Sequence, residues 1–139
     1  MRPFNYFLKN KEVRLITPNI HESESLVEDA LKRFNYFASQ KLNEENSKFV
    51  FENIYEAVRE LLDSILLKEG FKSYSHQAPI VFAENRGILT SKDALLLDGL
   101  RDLRNKSKYY GKKMGLELVE EKVIIGKDIF NKIKNILNK

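Results

Sequence analysis

The 139-residue chain contains no cysteine. That absence excludes disulfides, thiolate nucleophiles and cysteine metal sites. Only two histidines are present, His21 and His76, which argues against a zinc site of the usual His-rich kind. Three prolines and six glycines leave few backbone breaks. No internal repeat, low-complexity stretch or linker divides the chain. The longest uncharged run, Ser73 to Ala83, has eleven residues and is too short to span a bilayer. No apolar run behind a basic start marks a signal peptide. These absences lead to the expectation of a cytoplasmic, single-domain protein that needs no membrane, metal or cofactor.

What is present is enough apolar material for one core, 42% of residues, within a chain that is 32% charged. The net charge of +4 is unevenly placed. Residues 101–139 hold eleven Lys/Arg against five Asp/Glu. The densest stretch carries Arg101, Arg104, Lys106, Lys108, Lys112 and Lys113 against Asp102 alone. Such a run attracts a polyanion. It equally suits a solvated helix end, where cations meet the negative end of the helix dipole.

Hydrophobic spacing predicts an all-α, up-and-down bundle of four to five helices behind an extended arm over residues 1–18. In the arm, Val13, Leu15 and Ile16 suit a short strand ended by Pro18. The first helix is expected to start between Asn19 and Ser25, since Asn19 with Glu22 and Ser25 with Glu28 both have capping-box spacing. The second starts near Ser47, carries the clearest apolar stripe, and stops at Gly70. A loop over Ser73–Pro79 and one or two helical turns over Ile80–Arg86 follow. The next helix begins at Thr90 or Ser91, with Leu96, Leu100 and Leu103 as its stripe, and ends at Gly111. The last spans about Leu116 to Leu137, with Val119, Val123, Ile129, Ile133 and Ile136 inward. Gly126 on that face permits a close helix approach or merely weakens the helix.

The most informative string is Arg104-Asn105-Lys106-Ser107-Lys108-Tyr109-Tyr110-Gly111. Arg104 lies beside the expected stripe, where its guanidinium is costly to bury without a partner and well shaped for phosphate or carboxylate. Asn105 and Tyr109 are one helical turn apart and share a face. The bland alternative is an aromatic-packed helix end with Arg104 paired to a surface carboxylate. His76 is either a loop residue ordering the turn after Gly70 or a base that reaches the Arg104 region from another segment or subunit.

Two stretches resemble the HEPN family, the higher eukaryotes and prokaryotes nucleotide-binding helical domains. One is Tyr55-Glu56-Ala57-Val58-Arg59-Glu60-Leu61-Leu62, leading through Leu66-Leu67 to Gly70 and Tyr74-Ser75-His76. The other is Arg104-Asn105 followed four residues on by Tyr109. The resemblance covers about Asn19 to Leu137. It implies a helical domain that dimerises with two motifs facing one cleft, and, in active members, metal-independent endoribonuclease chemistry in which a histidine and the arginine promote attack by the ribose 2′-hydroxyl. Many such proteins are toxins of toxin–antitoxin pairs or partners of a minimal nucleotidyltransferase that modifies a tyrosine. Here Tyr109 stands at the histidine position, and a phenol near pKa 10 is mostly a donor at pH 7.

The resemblance therefore implies a nucleotide- or RNA-binding homodimer without histidine-dependent cleavage. Its site would use Arg104, Asn105, Lys108, Tyr110 and Arg101, with Arg104 and Tyr109 as the catalytic candidates and His76 as an accessory. An active ribonuclease using Tyr109, Ser107 or His76, and a nucleotidyltransferase partner with Tyr109 or Tyr110 as acceptor, are the alternatives.

Overall fold

The helix with the strongest apolar stripe becomes the centre of the molecule. The computed structural model describes residues 1–110 and 114–138, and at residues 108–110 the backbone alone. Within these residues the chain order is α1 (Phe4–Lys9), β1 (Val13–Leu15), α2 (Ile20–Ala38), α3 (Ser47–Glu69), β2 (Phe71–Ser73), α4 (Ala78–Asn85), α5 (Ser91–Tyr110) and α6 (Leu116–Leu137). The fold is an all-α bundle with one two-stranded ribbon. Fourteen of the 23 residues of α3 are buried, because α2, α4, α5, α6 and β2 all pack on it.

The ends of the helices follow their local chemistry. Asn19 caps α2: its Oδ1 accepts from the Glu22 backbone N–H at 3.0 Å, and its Nδ2 donates to the Glu22 carboxylate at 3.1 Å. Ser25 is then interior to the helix. Gly70 ends α3 with φ +92°, a left-handed conformation that a Cβ disfavours. A Cβ there would also lie 3.0 Å from the Ile16 carbonyl oxygen, because the N-terminal arm folds back over the turn. Thr90 Oγ1 accepts from the Asp93 backbone N–H and opens α5. The Ser75 hydroxyl accepts from the backbone N–H groups of both Gln77 and Ala78, so α4 begins at Ala78, two residues ahead of the expected turn, with Pro79 tolerated in its first turn.

The arm is more structured than an extended segment. Its strand is present, with Val13 opposite Ser73 and Leu15 opposite Phe71 in antiparallel register. Phe4–Lys9 ahead of it is helical, which the sequence pattern did not indicate. The reason is tertiary. Phe4 sets its ring 5.4 Å from Phe71 and 5.1 Å from Phe82, and Phe7 joins Val13, Ala78 and Val81 in a second small core. Packing of the aromatics supplies what so short a helix lacks alone.

An aromatic stack and a close helix approach are among the contacts that tie α6 to the bundle. Phe34 of α2 stacks on Phe130 at 3.9 Å between centroids and 4° between planes. A Cβ built on Gly126 would lie 2.8 Å from Ile54 Cγ2, so this glycine does permit a close approach of α6 to α3. Of the expected α6 stripe, Val119, Val123, Ile129 and Ile133 are buried, while Ile136 is exposed.

Candidate functional site

The buried face of α5 decides the character of the site. Leu96 and Leu103 are only half-buried, and the inward residues are Asp93, Ala94, Leu97, Leu100, Arg104 and Ser107. The stripe is rotated from the one expected, because Asp93 and Arg104 occupy core-facing positions that a purely apolar reading passes over. Arg104 is thus within the stripe, not beside it, and only 6% exposed. Asp93 is satisfied by Lys132 at 3.2 Å. Arg104 is not comparably satisfied. Its Nη2 lies 3.8 Å from Glu56 Oε2, its Cζ is 5.8 Å from the Tyr55 ring centroid, and Nε and Nη1 are buried without an acceptor.

The guanidinium forms the wall of an open polar cleft of about 470 Å3 lined by Arg33, Glu52, Asn53, Glu56, Arg59, His76 and Arg104. Helix α3 supplies its floor. Glu52, Glu56, Arg59 and Asp63 recur at four, three and four residues, so they share one face of a helix otherwise dominated by apolar side chains. Arg59 lies 3.5 Å from Glu56 and 3.6 Å from Asp63. Arg33 reaches over from α2 to donate to Glu60 at 2.7 Å and Asn53 at 2.8 Å. Three arginines thus face two lining carboxylates, Glu52 and Glu56. Glu56 Oε2 has no hydrogen bond, and Glu52 Oε1 has only Lys48, at 3.9 Å.

Burial governs the proton affinities here. It pushes the Asp63 carboxyl up to about 6, against the pull of Arg59 and with help from Glu56 and Glu60. It raises the Tyr55 phenol to about 12, which keeps that group neutral under the arginines. The His76 imidazole is pushed below its ordinary value by burial first, then by the Arg59 and Arg104 charges. A neutral imidazole at pH 7 is a proton acceptor. Its Nδ1 is buried without a hydrogen-bond partner.

The site residues named from sequence fall into three groups. Arg104 and His76 come together, from α5 and from the turn before α4. Arg101 faces a different partner: it donates to Asp98 at 2.7 Å, and Asp98 also accepts from Gln77. Asn105 is half-buried with Oδ1 unpartnered and does not line the cleft. The side chains of Lys108, Tyr109 and Tyr110 lie outside the described residues, as do Gly111, Lys112 and Lys113. Lys106 pairs with Asp102 at 2.9 Å. Arg101, Arg104 and Lys106 of the basic run thus each meet a carboxylate.

Sequence reasoning passed over Arg33, Glu52 and Asn53 and gave Glu56 and Arg59 no site role. The legible signal was the charge recurrence at 52, 56, 59 and 63 on a helix with apolar neighbours on every side. Arg33 carries no such signal, since only the α2–α3 packing brings it to the cleft. A larger groove, about 820 Å3, runs along α2 and α3 past Ile20, Val27, Leu31 and Ile65, away from Arg104. No group of three or more His, Asp or Glu that could hold a metal occurs among the described residues, and no helix among them is long and apolar enough to cross a membrane. No protein-family model matches the sequence. No curated protein matches it either, so the HEPN resemblance stands on the residues that carry it.

Proposed function

We propose that this protein is a HEPN-like nucleotide- or RNA-binding protein whose phosphate site is the Arg104 cleft. One observation carries the reading: an arginine at a core-facing position of α5, held at the cleft wall with one 3.8 Å ion pair and two donors without acceptors. A buried charge so incompletely compensated costs stability. A planar guanidinium matches a phosphate in two-point geometry once it turns its enclosed Nε or Nη1 edge toward the cleft. Arg59 and Arg33 on the same cleft add charge, and Glu56 is the counter-ion that an incoming phosphate displaces. The test is titration of a short single-stranded RNA at two salt concentrations, with wild type and Arg104→Met. Binding should weaken as salt rises, since each phosphate contact releases counterions. The variant should lose roughly 1.5–3 kcal/mol, the scale of a charge-assisted hydrogen bond. Equal binding by wild type and variant rejects the site.

A second reading is favoured by His76, which lines the same cleft as Arg104. In this reading the protein is a metal-independent endoribonuclease. The neutral imidazole takes the proton of the ribose 2′-hydroxyl, O2′ bonds to phosphorus, and the P–O5′ bond breaks. The 5′-oxygen leaves with a proton returned from the imidazolium, and the other product is a 2′,3′-cyclic phosphate. Arg104 stabilises the charge on the phosphorane oxygens. Cleavage lost in both His76→Ala and Arg104→Met, but kept in Tyr109→Phe, supports this reading. Cleavage that survives His76→Ala rejects it.

A further inference from the structure

The ribbon that leads into His76 has two unlike faces. Val13 is buried, and Phe71 packs against Phe4 and Phe82. Side chains alternate along a strand, so Arg14 and its register partner Lys72 point away from that core. Tyr74 follows on the same face as Lys72. Its backbone N–H donates to the Glu12 carbonyl at 2.7 Å and extends the ribbon pairing by one residue. Tyr74 is 60% exposed, with the Arg14 guanidinium carbon 5.2 Å and the Lys72 Nζ 5.9 Å from its ring centroid. Among the described residues neither cation has a carboxylate within ion-pair distance. One acid, Glu12, lies across the ribbon from Tyr74, half-buried.

The segment between this face and the cleft is short and pinned. The Ser73 hydroxyl donates to the Ser75 carbonyl at 2.7 Å and accepts from the Ser75 N–H at 3.1 Å. Ser75 in turn caps α4. Tyr74 and His76 are two residues apart, so their Cα atoms are separated by at most about 7 Å. That is roughly two stacked nucleotide steps.

Resting on the proposed phosphate site, we infer that Tyr74, flanked by Arg14 and Lys72, is a stacking platform for a base of single-stranded RNA whose phosphate occupies the Arg104 cleft. An exposed aromatic with cations over its ring, and no carboxylate paired to them among the described residues, fits such a strand. The ring accepts any base face, and the cations hold the flanking phosphates. A second exposed aromatic on the arm, Tyr6 under the Arg2 guanidinium at 4.9 Å, repeats the pairing. The arm supplies charge of the right sign: residues 1–18 hold Arg2, Lys9, Lys11 and Arg14 against Glu12 alone. A duplex, whose bases are stacked on each other, cannot use the ring.

The experiment compares a fluorescently labelled short oligouridylate with an abasic ribose-phosphate oligomer of equal length. Tyr74→Ala should weaken the oligouridylate about 5- to 150-fold, the range for removal of one stacking aromatic. It should leave the abasic oligomer unchanged, and Tyr74→Phe should restore binding, because the phenyl ring also stacks. Arg14→Ala with Lys72→Ala should flatten the salt dependence by roughly 0.7 for each lost phosphate contact, which a folding defect does not mimic. Arg104→Met should weaken both oligomers. If wild type binds both oligomers equally and Arg104→Met weakens both, the platform is overturned while the phosphate site stands. If wild type binds neither, both fall. Polyglutamate or duplex RNA bound with the same Tyr74 dependence would assign the face to another class of partner and overturn the inference.

Discussion

Replacing Arg104 by Met should make the protein more stable while weakening phosphate binding. The side chain is 6% exposed, and two of its donor nitrogens have no acceptor. Removing unpaired buried donors recovers about 1–3 kcal/mol. Methionine fills much of the vacated volume and adapts to irregular space. Two losses oppose this gain. The 3.8 Å pair with Glu56 is too long for a hydrogen bond and contributes about 0–1 kcal/mol. The Tyr55 contact, at 5.8 Å, contributes about 0.5–1 kcal/mol. Glu56 is not stranded, because Arg59 stays 3.5 Å away and its side chain is 27% exposed. The several-kcal/mol penalty of a lone buried charge therefore does not apply. The net expectation is a gain of about 1 kcal/mol. With an unfolding entropy of about 2.1 cal/mol/K per residue, that raises Tm by roughly 3 °C. Thermal melts followed by circular dichroism, with RNA titration of the same samples, measure both effects. A Tm lowered by several degrees would show that Arg104 holds the fold, and would refute the argument that its burial is retained for binding.

Three further outcomes are expected. Asp63 binds its proton more tightly in the folded state, so its contribution to stability should fall as pH rises from about 4 to about 6 and then level off. Asp63→Asn should match wild type in urea unfolding near pH 4 and exceed it by about 1–3 kcal/mol at pH 7; equal stability at both pH values would contradict the burial assigned to it. Gly126→Ala sets a helix-propensity gain of about 1 kcal/mol against overpacking of about 1–3 kcal/mol at Ile54 Cγ2. It should destabilise the wild type but stabilise an Ile54→Ala background, and a double-mutant cycle with no coupling would remove the contact from the account. As proposed from the family resemblance, the protein should sediment as a homodimer at ~100 μM, with α5 near the interface; a monomer at that concentration, well above the ~1 μM dissociation constants of ordinary specific pairs, counts against it.

The helices and most of the core were legible in the sequence because apolar spacing and terminal caps are local. Asn19, Gly70 and Thr90 mark helix ends through bonds to residues at most four positions away or through their own φ, and α3 announces itself by its stripe. Arg104 was legible as a residue of interest, but its depth was not. An arginine at a core-facing position breaks the apolar period, so the stripe of α5 was read through Leu96 and Leu103 instead of Leu97 and Arg104. The cleft itself is a tertiary product. Arg33, Glu56, His76 and Arg104 come from α2, α3, the turn before α4, and α5, and no spacing rule connects them. The helical arm is a similar case: Phe4–Lys9 lacks the length to fix a helix alone, and Phe71 and Phe82, more than sixty positions away, decide its conformation. Local hydrogen bonding and periodicity thus determined which segments are helices. Packing between distant segments decided which charges are buried together, and that is where the chemistry lies.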